Sequence, residues 1–472
     1  MSLSSPSSAP VHDPAAEQDR DWRPLVTCCL ATFLLLAFTT VVTVSAGNVA
    51  SRLGAGFATA QWIIDGYTLA LAALVLAMGT LGDRWGHRRL FLVGLIVFGV
   101  ASAGCAAASS GGLLVAARVV QGTGGAAIFG TAVPLLTQHY LGRTRGIAFA
   151  VWGAVAGIGS TTGTLAGGAV TQFISWRWLF LGALPICLVA VIIGGQSLSR
   201  ERPVRARLDI AGIALITAVM TGTTYAVINA GECGWASPGT LGAAAVSFVA
   251  ACLFVSVQRR AAHPLLPPDL FATRGFIAVL IAGFAYYFAA FAALPALSWW
   301  LQTGRGMPPL QASLVLTLQL AAFILVSLTL SARLHHAPRS WVLGGGTLLT
   351  GLACLPGAAL LVRPDWTSLI AMLIGTGIGA AIVSPVLPAV AATSVPPARA
   401  GVAAAAANAA RQLGLTIGIA LCGTISHAAN VGNGTSTYAV VAALCTCAAV
   451  ALCGGAISTV LLRRERPCNA AR

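Results

Sequence analysis

Apolar residues run along this chain in stretches of about twenty, divided by short polar segments that carry almost all of the charge. A run of that length is what an α-helix needs to cross the hydrocarbon core of a bilayer. Reading each run as one span predicts helices at 25–46, 59–80, 90–108, 113–137, 147–169, 178–197, 209–229, 238–257, 275–300, 310–331, 341–362, 367–389, 402–425 and 437–461. The expected fold class is an all-α polytopic membrane protein with 14 transmembrane helices.

An internal likeness suggests how they group. The fifth predicted helix opens on Arg145-Gly-Ile-Ala-Phe-Ala and continues through Gly153, Gly157 and Gly159; the thirteenth opens on Arg399-Ala-Gly-Val-Ala-Ala and continues through Gly414 and Gly418. As equivalent members of a duplicated unit they imply two six-helix bundles plus a two-helix insert; shared alanine-rich composition is the competing explanation. The expected divisions are a disordered cytoplasmic tail at 1–24, an N-terminal bundle at 25–197, a linker with inserted helices at 198–274, a C-terminal bundle at 275–461 and a second tail at 462–472.

Composition excludes the soluble alternative. The chain is 57% hydrophobic and only 8% charged, with a mean hydropathy of +0.86. Its 53 glycines suit close helix packing in lipid and argue against a β-barrel. A net charge of +15 raises the question of nucleic acid, but all 27 basic residues are arginines scattered through short loops. On the predicted topology, with both termini cytoplasmic, the outer loops hold only Arg52, Arg177, Arg305 and Arg363, whereas twenty-one arginines lie inside. That asymmetry marks a multi-pass protein of the inner (plasma) membrane, with the lipid bilayer and not nucleic acid as its partner. The 12 cysteines sit mostly in apolar runs without metal-ligand spacing, as small packing residues.

Three charged residues lie well inside predicted spans, where charge costs about 3 kcal/mol or more unless paired or wet: Asp65, Arg118 and Arg411. Asp65 falls about one turn into the second helix from its outer end, near Trp62 and Tyr67. It is either a rim residue reaching for water or a carboxylate that loads and releases a proton. Arg118 and Gln121 are three apart and share a helical face, which suits a static interhelical bond or a working polar pair. Asn408, Arg411 and Gln412 lie on or near one face of the thirteenth helix, where a buried cation needs a partner across the bundle or a wet cavity. Among the ninth-helix aromatics Phe284, Tyr286, Tyr287, Phe288, Phe291, Trp299 and Trp300, some are expected to face lipid. Tyr287 and Phe291, four apart, are the candidates for stacking flat solutes. Asp209 is expected to cap the seventh helix. No phosphate-binding Gly-Lys-Ser/Thr loop, nucleophile and base pair or metal cluster stands in the sequence, so neither enzyme activity nor a cofactor is expected.

Between the second and third spans stands Gly79-Thr-Leu-Gly-Asp-Arg-Trp-Gly-His-Arg-Arg-Leu90, expected to form a loop. It resembles the signature at that place in the major facilitator superfamily. Leu114-Val-Ala-Ala-Arg-Val-Val-Gln-Gly-Thr-Gly-Gly125 resembles the fourth-helix motif of the same superfamily. Gly153 to Gly168 resembles its antiporter motif, with Gly159, Gly163, Gly167 and Gly168 in place but Thr164 where proline is usual. The inserted pair, the linker Pro264-Leu-Leu-Pro-Pro-Asp-Leu-Phe271 and Gly401 to Gly414 are similar to the fourteen-helix drug:proton antiporter branch. The first helix departs from that branch, with Phe38 and Thr43 replacing its usual acid and asparagine.

The resemblance implies a proton-driven exporter of amphipathic drugs or antibiotic-like metabolites working by alternating access, functional as a monomer. It implies proton coupling at Asp65, Arg118 and Gln121 and a conformational latch of Gly79, Asp83, Arg84, Gly86, Arg88 and Arg89. In the outward-facing state Asp83 would meet the start of the thirteenth helix near Arg399 and Gly401. A substrate cavity would be lined by Tyr287, Phe291, Asn408, Arg411 and Gln412. The scarcity of acids within the spans favours neutral or weakly acidic aromatic substrates over polycations. A narrow transporter of one endogenous solute and a transport-inactive receptor or scaffold remain as alternatives.

Overall fold

The computed structural model describes residues 21–199, 209–334, 337–396, 399–428 and 436–464, so most of both expected tails lies outside the described residues. The helical segments, in chain order, are α1 (Arg23–Arg52), α2 (Phe57–Trp85), α3 (His87–Ala107), α4 (Gly111–His139), α5 (Gly142–Phe173), α6 (Arg177–Ser197), α7 (Ile210–Cys233), α8 (Pro238–Arg260), α9 (Arg274–Gly304), α10 (Pro309–Leu334), α11 (Ser340–Leu361), α12 (Trp366–Thr393), α13 (Ala400–Ala428) and α14 (Thr437–Arg463). No strand occurs among the described residues.

Thirteen of these are long and apolar enough to cross a membrane. The exception to the expected fourteen is α13, which has the length, 29 residues, but dilutes its apolar run with Asn408, Arg411 and Gln412. It tolerates them because it packs against α2, α7, α9, α12 and α14.

Helix ends follow local chemistry. Ser110 and Ser237 cap α4 and α8, accepting from the amides of Leu113 and Thr240 at 3.3 Å. Asp209 caps α7 as expected, its Oδ1 accepting from Gly212 N at 2.7 Å. Its Oδ2 accepts from Gln258 Nε2 at 2.5 Å and Leu265 N at 3.2 Å, which ties α7, α8 and the following linker to one carboxylate. The stretch expected as a loop between α2 and α3 is almost entirely helical. Only Gly86 breaks it, at φ +93°, a left-handed conformation open to glycine. The reason is that α2 runs on for a turn and a half past its apolar residues, and helix formation there needs only water around Asp83 and Arg84.

Packing resolves into two clusters of helices and a hairpin. In the first, α1 lies on α5, α4 lies between α2 and α3, and α6 closes against α1 and α3. In the second, α9 lies on α13 and α14, α10 on α12, and α11 on α12 and α14. The clusters meet along two seams, α2 with α13 and α5 with α10. The hairpin of α7 and α8 sits over the first seam, α7 touching both α2 and α13. Apolar side chains such as Val93, Ile96 and Val100 of α3 and Leu241 and Phe248 of α8 point outward, as a lipid-facing surface requires. Cys28, Cys29, Cys105, Cys187, Cys354, Cys422 and Cys447 are buried, whereas Cys233, Cys252, Cys445 and Cys453 are exposed, so packing accounts for the first set only.

Candidate functional site

The two clusters touch most intimately at one end. There Gln61 Nε2 of α2 donates to Ala420 O of α13 at 2.9 Å, Gln302 Nε2 of α9 donates to Val44 O of α1 at 2.9 Å, and Leu310 N donates to Gln172 Oε1 at 3.0 Å. Trp299 lies over Gly47, where a side chain would strike its ring. Phe57 stacks on His427 with ring centroids 4.4 Å apart. The opposite end carries Asp83, Gly86 and Arg399. At that end Asp83 is 59% exposed and, among the described residues, bonds only within its own cluster, its Oδ1 lying 3.0 Å from His87 Nε2. Arg399 instead pairs with Asp269 of the linker at 2.5 Å. The expected meeting of Asp83 with the start of α13 is thus not made in this structure, because Asp83 is engaged by His87 and Arg399 by Asp269.

Arg118 is fully buried in the centre of the first cluster, and three elements are shaped around it. Its Nε donates to Ile63 O of α2 at 2.9 Å, Nη1 to Gln121 Oε1 at 2.6 Å and Nη2 to Phe38 O of α1 at 3.2 Å, and its guanidinium stands 4.3 Å above the Tyr67 ring. Gln121 passes the chain on to Ser102 Oγ at 2.7 Å. The predicted pair is therefore brought together, but every acceptor is neutral. Phe38, standing where the resemblance expects an acid, supplies its carbonyl and packs its ring on Phe98 and Phe180 at 5.4 and 5.8 Å.

Asp65 is not brought to Arg118. It is deeper than expected, because α2 begins at Phe57 and places it just over two turns in, and it is completely buried. That removes the rim reading. It shares a helix face with Gln61 and Leu69, residues that pack against α13, so it lies in the seam between clusters. Neither of its carboxylate oxygens has a hydrogen-bond partner.

The glycines of α5 do work of contact. Gly159, Gly163 and Gly167, spaced by four, press on the backbone of α1 at Phe33, Ala37 and Val41, and Gly168 on α10 at Ser313 and Pro309. Thr40 Oγ1 crosses the same interface to Ser160 O at 2.8 Å. Gly414 of α13 meets the α9 backbone at Phe284 in the same fashion. Thr164, in the place of the usual proline, donates back to Ser160 O at 3.0 Å and α5 stays continuous. Of the remaining latch residues, Arg84 and Arg89 are exposed, Arg88 reaches Gly195 O, and Gly79 approaches the α4 backbone at Gly130.

In the second cluster the Arg411 guanidinium lies 4.8 Å from the Tyr287 ring centroid, and Tyr287 meets Phe291 at 4.8 Å. Arg411 Nε and Gln412 Oε1 are buried without partners, while Asn408 is half-buried one turn away. None of the seven ninth-helix aromatics is exposed, against the expectation of a lipid-facing share. The cause is position: α9 is enclosed by α1, α10, α11, α12, α13 and α14.

The Major Facilitator Superfamily sequence pattern matches residues 28–258 and 279–471, nearly the whole chain. The chain belongs to the Major Facilitator Superfamily. Among its relatives in that superfamily, a puromycin resistance protein of Streptomyces alboniger is 35% identical, covering 92% of this chain and 89% of its own. A methylenomycin A resistance protein of Bacillus subtilis is 31% identical over 85% of this chain and 87% of its own. A crystal structure of a peptide transporter in complex with sulfate shares the superfamily fold, with a TM-score of 0.69 at 14% identity, covering 94% of each chain.

Within this superfamily frame, sequence reading gave no role to His87, Asp269 and Phe323, and it named Tyr286 only among the aromatics of its helix. The Asp83 to His87 spacing of four was a visible signal; the Asp269 to Arg399 pair, 130 residues apart, had none. Tyr286 is fully buried beside Tyr287 at 5.4 Å, and Phe323 extends the Tyr287 and Phe291 surface at 6.5 Å.

Proposed function

We propose that this chain is a proton-driven secondary transporter that exports amphipathic, antibiotic-like small molecules across the plasma membrane by alternating access. Fourteen helices cross the bilayer as two six-helix halves with α7 and α8 inserted, both termini face the cytoplasm, and the monomer is the working unit. On this reading the Asp83 end is cytoplasmic and the state described is open inward.

The observation that carries the proposal is Asp65: a buried carboxylate with no hydrogen-bond partner, set in the seam that must part when the outer end opens. A group so placed is held neutral by a proton while the seam is shut and releases it when the seam parts to the other side. Arg118 and Gln121 hold α1, α2 and α4 in register about it, and Asp83 with Gly86 and the arginines beside them closes the cytoplasmic end in the alternate state. Substrate is received at Tyr287, Phe291 and Arg411, with Asn408 and Gln412 as polar contacts. The puromycin and methylenomycin resistance relatives support export of antibiotic-like compounds. Because each is named for a single compound, narrow specificity for one solute is the second reading.

The test is accumulation of a panel of labelled aromatic compounds in cells expressing the chain or its Asp65→Asn form, with and without a protonophore. Lowered accumulation that vanishes in both the variant and the protonophore-treated cells is the expected result. Export that survives in Asp65→Asn would move coupling elsewhere, and equal accumulation in every case would overturn the broad-export reading.

A further inference from the structure

The contacts that close the Trp299 end do not fill it. Between α1, α2, α9 and α13 they leave a partly open cavity of about 320 Å³, near the lower bound for small-molecule sites. Phe57 and Trp299 form an aromatic corner, edge to face with centroids 5.7 Å apart. Among the described residues no acidic or basic side chain lines the space. Three lining residues carry a buried oxygen without a hydrogen-bond partner: Asn48 Oδ1, Gln61 Oε1 and Ser426 Oγ. Gln61 and Ser426 are 5% and 7% exposed. The orientation of Gln61 is fixed, since its Nε2 is committed to Ala420 O, which leaves its oxygen as an acceptor. Thr43, where the resemblance expects asparagine, lines the same space.

We propose that this cavity is a binding site for neutral, flat aromatic molecules bearing N–H or O–H donors. Unmet buried acceptors reward a ligand that donates to them, and the uncharged wall offers no partner to an ion. The site is separate from the Tyr287 and Arg411 surface, none of whose residues lines it. Its walls come from both clusters, so an occupant bridges α1 and α2 to α9 and α13 and holds this end shut until release. The inference rests on the cavity and its oxygens, and it stands whether or not the chain exports anything.

The experiment is ligand-observed NMR titration of the full chain in lipid nanodiscs with 4-hydroxybenzamide, which has donors at both ends, and with donor-free 4-methoxy-N,N-dimethylbenzamide. The expected result is binding of the first at least tenfold tighter than the second. Ser426→Ala and Asn48→Ala should each weaken it about fivefold, in keeping with the loss of one buried hydrogen bond. Folding of each variant is checked by its thermal unfolding, and the two independent variants cover failure of either one. Equal affinity for the two probes, no binding of either at millimolar concentration, or affinity unmoved by both variants would overturn the proposal. So would a loss on Tyr287→Ala that neither Ser426→Ala nor Asn48→Ala reproduces, because it would move binding to the other surface.

Discussion

At the scale of residues the chain shows how a membrane protein keeps a buried cation without an acid. Arg118 is met by two backbone carbonyls, one amide oxygen and the face of a tyrosine, an arrangement that only a planar fork of donors can use. Arg118→Lys keeps the charge but has one nitrogen to serve acceptors on three sides. We expect it to lower stability by about 3 kcal/mol, read as a fall in thermal unfolding midpoint in detergent, and to cut efflux at least tenfold. An unchanged midpoint would mean that the fork geometry is irrelevant. The Arg118 and Gln121 pairing was legible from their spacing alone. Its acceptors were not, since Ile63 and Phe38 contribute carbonyls, and every residue has one. For Asp65 the sequence left a rim residue and a buried carboxylate both open and misplaced the depth, because the start of α2 gives no signal for where water ends.

At the scale of elements, the length of the apolar runs located the ends of every helix to within about six residues, and the errors fall where helices outrun their apolar runs, as α1 does through Arg52 and α2 through Trp85. The glycine ladder of α5 was visible as a pattern, but its object, the α1 backbone, was not. Gly163→Leu should force α1 and α5 apart, and we expect loss of folded protein as judged by monodisperse size-exclusion yield. Gly146→Leu, a residue of the same helix with open space around it, should be tolerated. The hairpin of α7 and α8 depends on one carboxylate. Asp209→Ala removes a helix cap and strands the Gln258 and Leu265 donors, and should destabilise the hairpin by about 1–2 kcal/mol. Faster proteolysis in the linker after α8, with the core fragments intact, is the measurement that checks it.

At the scale of the whole molecule, the sequence carried the family signature but no trace of which end is closed, since the deciding contacts join residues such as Gln61 and Ala420, 359 positions apart. Gly423 lies against Gln61 across that seam. A protein bearing Gln61→Cys with Gly423→Cys in a background without accessible cysteines should be joined by a short thiol-reactive linker. Transport should stop, and cleavage of a reducible linker should restore it. Transport that continues while cross-linked would mean that the seam need not open.

Among the described residues Asp65 is the one carboxylate set within a helix away from its ends, and Phe38 stands where the family resemblance would place a second. On the proposed proton-coupled reading, one titratable site at Asp65 limits exchange to one proton per molecule expelled, and that sets a ceiling. A membrane potential of 100 mV with one unit of pH difference supplies about 3.7 kcal/mol per proton. Against a neutral solute this sustains a concentration ratio of roughly 500; against a monocation the electrical part cancels and the ratio falls to roughly 10. A dication would be expelled uphill, short by about 0.9 kcal/mol before any gradient has formed. On that reading, a phenyl ring at Phe38 of α1 in place of an acid draws the boundary of what the chain can remove by charge alone, whatever its cavity is able to bind.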